Sequence, residues 1–234
     1  MNSRTEQSKP VAKHPPRNFM YTAMNLAVRL APTGWKYSGS SILLKTCIAD
    51  IGPVTLPAPY QWTWAGPQEI DFLDRHPEAT SPTAYARRAV RGDRCLCIKQ
   101  GSDVAGYRWV TQANGCVLCG FAPNMEFTLF PLNPGQAFTY DLFTYQKHRG
   151  RGIATALVKL LYRALRDEGI NVVFSLVSPL NYPALRLHLR CGAEPQRMMY
   201  NYRIRSWSKT ILGPERDTRL SEWIQRFRPA SSGS

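Results

Sequence analysis

The chain has 234 residues, 44% of them hydrophobic, and is long enough to bury the core of one large domain. Thirty lysines and arginines against sixteen acidic residues give a formal charge of +14 at pH 7, a field that attracts phosphates, nucleic acid, acidic lipids or an acidic partner protein. No apolar run approaches the roughly 20 residues that span a bilayer, so we expect no transmembrane segment and a cytoplasmic location.

The N-terminal part of the chain is predicted to be an extension of the main domain. Residues 1–18 lack periodicity and indicate a loose tail, whereas Phe19–Leu30 has the spacing of an amphipathic helix. Trp35–Ile51 contains an apolar run typical of a strand, and residues 52–59 hold three prolines and indicate a linker. These features define an extension over residues 1–58, whose role the sequence does not reveal.

The middle of the chain is predicted to be mainly β-structure with two helices. In chain order the elements are a strand at Gln61–Ala65, helices near Pro67–Arg75 and at Ser81–Arg91, a hairpin of Cys95–Lys99 and Val104–Thr111, and strands at Gly115–Phe121 and Glu126–Phe130. Ser81 with the following proline is a typical helix start.

The second half alternates strands and helices. The predicted elements are a strand at Ala137–Tyr145, a helix at Gly152–Glu168, a strand at Ile170–Val177, a helix from Asn181 to Cys191, a strand at Met198–Arg205 and a helix at Asp217–Arg228. We predict an α/β fold with a main domain over residues 59–205 and a C-terminal helix and tail over residues 206–234.

Six cysteines are scattered through the chain, which does not indicate a disulfide framework. Cys116 and Cys119 have the spacing of a metal or redox motif. A zinc site would need a second pair, and Cys95 and Cys97 are spaced too closely for one. We therefore expect free thiols and no metal.

One glycine-rich turn carries the strongest functional signal. The sequence Arg-Gly-Arg-Gly-Ile-Ala at residues 149–154 connects a predicted strand to a predicted helix. Glycines allow a tight turn and close approach of a ligand, and the free N–H groups of a helix start favour an anion. The turn is neither a Walker A loop, which continues Gly-Lys-Ser/Thr, nor a dinucleotide fingerprint, whose glycine spacing differs. A purely structural turn remains the alternative.

This turn and a second segment together resemble the GNAT N-acetyltransferase superfamily. Arg149, Gly152 and Ala154 match that family's Arg/Gln-x-x-Gly-x-Gly/Ala pattern. About thirty residues later, Asn181, Ala184 and Gly192 match its second pattern, Asn-x-x-Ala-x-x-x-Tyr-x-x-x-Gly-Phe. The detailed resemblance covers residues 137–204, and a weaker one reaches back to about residue 61.

The resemblance implies a GNAT-like fold, in which a mixed, mostly antiparallel central sheet is flanked by helices. It also implies acetyl-CoA or another acyl-CoA as co-substrate and direct transfer of the acyl group to a primary amine. The strand that precedes the turn would splay from its neighbour at a bulge and pair its backbone with the pantetheine arm. The implied CoA-binding residues are Leu142, Phe143, Thr144, Arg149, Gly150, Arg151, Gly152, Ile153, Ala154, Thr155, Asn181 and Ala184.

The catalytic residues are less clearly marked than the CoA-binding ones. His188 stands where the family usually has the tyrosine thought to protonate the departing thiolate, and Ala193 replaces the usual phenylalanine. Histidine can supply that proton, or it can be a spacer with water as the acid. Asp141 and Glu126 are the candidates for the general base that accepts the proton of the amine.

The acceptor is open at the level of sequence. A small amine or a peptide is the first expectation, and the basic charge also suits an acidic carrier protein or a nucleic-acid-linked substrate. Four aromatic residues, Tyr60, Trp62, Trp64 and Trp109, could form an acceptor pocket, and the alternative is that they belong to the core. The rival from another class is a GNAT scaffold with little or no catalysis that senses CoA or binds nucleic acid or a membrane surface.

Overall fold

A computed structural model describes residues 36–49, 51–76, 78, 84–112, 131–204, 207–215, 218–225 and 227. Several predicted features lie outside these residues. They are the tail and helix of residues 1–30, the start of the helix at Ser81, the strands at Gly115–Phe121 and Glu126–Phe130, and the pair Cys116 and Cys119.

The described strands form one mixed sheet of eight. They are β1 Lys36–Cys47, β2 Gln61–Trp64, β3 Arg94–Gln100, β4 Asp103–Thr111, β5 Gln136–Thr144, β6 Val172–Val177, β7 Glu194–Ile204 and β8 Trp207–Leu212. Their order across the sheet is β2-β3-β4-β5-β6-β1-β7-β8. All neighbours are antiparallel except β5 and β6, which run parallel.

Helices cover both faces of this sheet. They are α1 Pro67–Arg75, α2 Ala84–Val90, α3 Ile153–Asp167, α4 Tyr182–Arg190 and α5 Thr218–Gln225. Side chains of α1 and α2 join the apolar cluster on one face, whereas α3, α4 and α5 cover the other face. The α/β fold class predicted from the sequence, a mostly antiparallel sheet between helices, is confirmed.

Helix α3 shows how local sequence directs a helix onto the sheet. Its apolar residues recur every three or four positions, so Leu157, Leu161 and Leu165 are fully buried on one stripe. Arg163 and Asp167 lie on the exposed side. The strand β5, the turn and α3 are consecutive in the chain, and this connection positions the glycine turn near the C-terminal end of β5.

The extension contributes a strand to the middle of the sheet. Strand β1, predicted from its apolar run, lies between β6 and β7, with Ile42 opposite both Val177 and Met198. Ile42 and Leu44 are fully buried under α4 and α5. At least this part of the extension is therefore structural.

One strand was missed by the sequence interpretation, which ended the last strand at Arg205. Trp207–Leu212 forms β8, which pairs with β7 from Ile204↔Trp207 to Met199↔Leu212. The segment is an edge strand whose apolar content alone is weak, and pairing with β7 stabilises it.

Among the described residues, none of the helices has the length and apolar character needed to cross a membrane.

Candidate functional site

The parallel strands β5 and β6 separate in the middle of the sheet. They pair from Gln136↔Val172 to Thr139↔Ser175, and both strands then continue without further pairing to each other. On its other side β5 stays paired with β4, through a bulge. Tyr107 faces Phe143 and Trp109 faces Tyr140, so two residues of β5, Asp141 and Leu142, oppose Arg108 alone.

The bulge bends the backbone into an uncommon conformation. Asp141 has φ of 49°, the one positive φ at a non-glycine position within the described residues. Beyond it, Leu142–Thr144 presents a strand edge that β6 does not occupy, and a ligand that lies along the strand could pair with this edge.

The glycine turn lies at the end of this free edge. Gly150 and Gly152 have φ of 75° and 76°, a region that favours glycine, and a Cβ at Gly152 would meet nothing within 4 Å. The first helical bond runs from the N–H of Ala156 to the carbonyl of Gly152 at 3.0 Å. The amides before Ala156 have no helical acceptor and form the positive end of α3.

A cleft of about 670 Å³ opens between this turn, the free edge of β5 and helix α4. Seven of the sequence-predicted residues line it: Leu142, Phe143, Thr144, Arg149, Ala154, Thr155 and Ala184. Six further lining residues were not predicted: Lys159, Pro183, Arg186, Leu187, Arg190 and Cys191. Arg186 and Arg190 lie four residues apart, which places them on the same side of α4. This spacing could have indicated from the sequence that both face the cleft.

Among the described residues, the cleft is lined by four cations, Arg149, Lys159, Arg186 and Arg190, and by no carboxylate. None of the four forms an ion pair with a described acidic residue. The Nε of Arg149 donates to the carbonyl of Thr144 at 3.0 Å, which holds the guanidinium beside the turn. The arrangement is a cleft with several separate positive groups, whose charge suits an anion.

Five of the sequence-predicted residues lie beside the cleft without lining it: Gly150, Arg151, Gly152, Ile153 and Asn181. Arg151 donates to the hydroxyl of Tyr60 at 2.9 Å, and that hydroxyl is 2.9 Å from the Nδ1 of His148. Ile153 is buried in the apolar cluster under α3. These residues shape the turn, and the contact of Arg151 ties it to the linker before β2.

Asn181 begins α4 as predicted. Its side-chain oxygen accepts the N–H of Ala184 at 3.2 Å, and Pro183 occupies the first turn. The cap fixes where α4 starts, and therefore which of its residues face the cleft.

His188 is buried on the inner side of α4. It is 4% exposed, and its Nδ1 has no hydrogen-bond partner among the described residues. Burial lowers the pKa of His188 well below its usual value, and the charge of Arg108 lowers it further. The imidazole is therefore neutral at physiological pH.

Arg108 lies at the point where β5 and β6 separate. Its Nη2 donates to the Oγ1 of Thr139 at 2.5 Å and to the Oγ of Ser175 at 3.0 Å, and these two residues are the last pair between the strands. The side chain is 1% exposed. Its charge also opposes the rise that burial causes in the pKa of Cys191, a residue that lines the cleft.

The two candidates for the general base have different positions. Asp141 points to the α2 face, where its Oδ2 accepts from the Nη1 of Arg88 at 2.5 Å. Glu126 lies outside the described residues.

The described residues contain no group of three histidine, cysteine or acidic side chains that could hold a metal.

The predicted aromatic pocket is wrong, because the sheet separates its members. Trp109 is buried on the α1 and α2 face. Tyr60 and Trp64 pack on the opposite face, and Trp62 is 44% exposed. Alternation along the strands sends these rings to different sides, which spacing along the chain alone did not indicate.

A mixed sheet that splays at a bulge, with an anion-binding turn and helix at the splay, defines the fold class of the acyl-CoA-dependent acyltransferases. The chain matches the model of the Acetyltransferase (GNAT) family over residues 57–193, and it belongs to that family. Members of this family take their acyl group from CoA.

Curated relatives agree with this assignment. The chain is 27% identical over 110 residues to "N-acetyltransferase family 8 member 2" of Rattus norvegicus and 26% identical to "Probable N-acetyltransferase family 8 member 5" of Mus musculus. Each match covers 47% of this chain and 48% of the relative, so the chain spans about half the length of the curated relatives it matches.

Two solved structures share the fold at low sequence identity. A GCN5-related N-acetyltransferase from Sphaerobacter thermophilus has a TM-score of 0.51 and 15% identity over 82% of this chain and 57% of its own. A GCN5-related N-acetyltransferase-like protein from Streptococcus suis has a TM-score of 0.52 and 12% identity over 82% of this chain and 70% of its own.

Proposed function

We propose that this protein transfers an acetyl or related acyl group from CoA to a primary amine, by direct attack of the amine on the thioester while both substrates are bound. The observation that carries the proposal is the cleft between the free edge of β5, the glycine turn and α4, whose described lining holds four cations and no carboxylate. The pyrophosphate and 3′-phosphate of CoA bring several negative charges, which this lining matches.

Each part of the cleft suits one part of the donor. The turn at Gly150 and Gly152 and the N-terminus of α3 suit the pyrophosphate, since unpaired amides and the helix dipole favour an anion there. The edge of Leu142–Thr144 suits the pantetheine arm, whose amides would pair like an additional strand. The thioester would then lie near the bulge, where N–H groups of β5 can stabilise the developing negative charge on the carbonyl oxygen.

His188 is better suited to be a neutral, buried support of α4 than an acid. Because burial and Arg108 hold its pKa well below the usual value, it carries no extra proton at neutral pH. A general acid has to hold a proton that it can release at the working pH. We therefore assign protonation of the CoA thiolate to water, and packing beneath α4 to the buried imidazole of His188, which does not line the cleft.

The acceptor is a small amine or the amine of a peptide, with an acidic carrier protein or a nucleic-acid-linked amine as further options for a chain of this charge. Asp141 and Glu126 stay predictions for the general base, which must reach the amine directly or through one water. The cytoplasmic location and the boundaries at residues 58 and 205 stay predictions too.

The test is stabilisation by acetyl-CoA, followed in thermal-shift experiments. We expect acetyl-CoA to raise the melting temperature of the parent and Gly152→Asp to abolish that rise, because a carboxylate would enter the open space where the phosphates bind. Gly169→Asp is the matched control. Gly169 also has a positive φ and open space around a Cβ, but it lies at the other end of α3.

Turnover is tested separately, by release of CoA thiol over a panel of small amines, peptides and aminoglycosides. Thiol release with at least one amine supports the transferase. Stabilisation by acetyl-CoA without thiol release in any amine favours the CoA-sensing alternative. If Gly152→Asp responds to acetyl-CoA as the parent does, the assignment of the turn is wrong.

A further inference from the structure

The bulge in β5 is held by a buried ion pair on the face opposite the cleft. We infer that Arg88 and Asp141 are positioning residues: their ion pair fixes the bulge so that the edge of Leu142–Thr144 faces the pantetheine arm. This inference rests on the proposed function, because the arm is that of the proposed donor.

The backbone of Asp141 needs support. A φ of 49° is uncommon for a residue with a side chain, although aspartate and asparagine tolerate it better than most. Such conformations persist where surrounding contacts hold them, and they occur often at functional sites. At this position the conformation creates the bulge, so whatever holds Asp141 also decides where the following residues point.

Arg88 of α2 supplies the contact that holds Asp141. Its Nη1 donates to Oδ2 of Asp141 at 2.5 Å, and Arg88 is 6% exposed. The guanidinium also lies over the rings of Tyr85, Trp109 and Tyr140 at 5.1, 5.4 and 5.0 Å from their centroids. Trp109 and Tyr140 face each other in the pair next to the bulge. The aromatic rings therefore hold Arg88 in place, and Arg88 holds the bulge.

The same point in the sheet is fixed from the other face. Arg108, the single residue opposite the bulge, reaches Thr139 and Ser175, the last pair before β5 and β6 separate. The splay thus begins immediately beyond one buried arginine contact and beside another. The contacts of Arg88 and Arg108 therefore fix the direction of the free edge of β5.

The ion pair also bears on the predicted role of Asp141 as general base. A carboxylate that accepted a proton would leave the charge of Arg88 buried without that partner, which is unfavourable. A positioning role needs no change of protonation. The two roles therefore predict different effects on binding of the donor.

Binding measurements separate these roles without a known acceptor. Isothermal titration of acetyl-CoA is compared with titration of 3′-phospho-ADP, the nucleotide half of CoA without the pantetheine arm. For Asp141→Ala and Arg88→Met we expect acetyl-CoA to bind about tenfold more weakly. A loss of this size corresponds to the backbone strain at Asp141 that the ion pair offsets. We expect 3′-phospho-ADP to bind within about twofold of the parent.

Two further variants sharpen the comparison. Asp141→Asn should lose less affinity for acetyl-CoA than Asp141→Ala, because asparagine tolerates the positive φ and can accept from Arg88. Arg75→Met is the matched control for Arg88→Met, since Arg75 forms an exposed ion pair with Asp71 on α1. We expect Arg75→Met to bind both ligands like the parent.

The outcomes discriminate clearly. Loss confined to acetyl-CoA supports the inference. An equal loss of affinity for both ligands would mean that the ion pair has a general structural role. Unchanged affinity for both ligands would fit a general base. Either result would overturn the inference. If Asp141→Ala does not fold, Asp141→Gly replaces it, because glycine adopts φ of 49° without strain yet leaves Arg88 unpaired. Binding of acetyl-CoA by the parent tests the proposed function, and the variants test only the ion pair.

Discussion

The exposed arginines that line the cleft and the buried Arg88 on the opposite face of β5 differ in role. On the cleft face Arg149, Arg186 and Arg190 are exposed, and they have no acidic partner among the described residues. On the other face Arg88 is enclosed by aromatic rings and paired with Asp141. An exposed cation without an acidic partner is available to a ligand, whereas a buried cation needs a partner, and removing one member of such a pair destabilises the fold.

This comparison separates binding from stability on the two faces. Apart from the ion pair at the bulge, changes of the enclosed side chains should mainly lower the free energy of unfolding. Changes of the exposed cations that line the cleft should mainly lower affinity for CoA. The following predictions test that separation, from the largest expected effect to the smallest.

The largest effect is expected for Trp109→Ala on the enclosed face. Trp109 is fully buried and stacks with Tyr85 at 5.9 Å between ring centroids. Removing the ring leaves a cavity and should lower the free energy of unfolding by about 3–5 kcal/mol in urea denaturation. Trp62→Ala is the control, and because Trp62 is 44% exposed we expect a change below about 1 kcal/mol. Similar losses in both variants would contradict the enclosed core.

The double change Arg186→Gln and Arg190→Gln on the cleft face should act on binding. We expect CoA to bind about tenfold more weakly by isothermal titration, because two charge-assisted contacts to phosphate are lost. The free energy of unfolding should change by less than about 0.5 kcal/mol, as for other exposed positions. Arg163→Gln is the control, since Arg163 is exposed on α3 and does not line the cleft.

Dephospho-CoA, which lacks the 3′-phosphate, adds a second measurement to this variant. If Arg186 and Arg190 bind that phosphate, the double change should weaken binding of dephospho-CoA much less than binding of CoA. An equal loss for the two ligands would assign both arginines to the pyrophosphate instead. No loss for either ligand would show that the cations of α4 do not take part.

Acidification tests the buried histidine. The pKa of His188 is lowered on folding, so the unfolded chain binds the proton more tightly and stability falls as the pH drops below about 6.5. In that range His188→Gln should flatten the fall of the melting temperature between pH 7.5 and 5.5, removing up to about 1.4 kcal/mol per pH unit. Part of the slope should remain, because burial and nearby charges also lower the pKa of His148. A slope equal to the parent's would contradict the buried, neutral state.

The smallest effect is expected at the start of α4. Asn181→Ala removes the acceptor for the N–H of Ala184 and should cost about 1 kcal/mol of unfolding free energy in urea denaturation. Asn181→Ser keeps a capping oxygen and should cost less. Equal losses in the two variants would mean that the cap bond does not hold α4.

Local patterns predicted most of the elements that the structure describes. The periodicity of α3, the capping residue Asn181 and the glycine turn each depend on neighbours in sequence, so they could be recognised without coordinates. The family assignment came from two such segments, one around Gly152 and one around Asn181. β8 was not predicted, because the formation of an edge strand depends more on pairing with its neighbour than on its own composition.

Contacts between distant parts of the chain could not be predicted in the same way. Nothing local shows that β1 enters the sheet between β6 and β7, because strand order depends on long-range pairing. The pairing of Arg88 with Asp141 joins residues 53 positions apart. Asp141 was therefore predicted as a candidate base, and its partner Arg88 could not be recognised from the sequence.

The sequence by itself determined the glycine turn, its helix and the basic character of the chain, because backbone conformation and charge follow from residue type. Only the tertiary structure decided which cations line the cleft, which one is enclosed by aromatic rings, and that His188 is buried and neutral. Those properties depend on burial and on distances between elements, which arise when the sheet brings separate segments together.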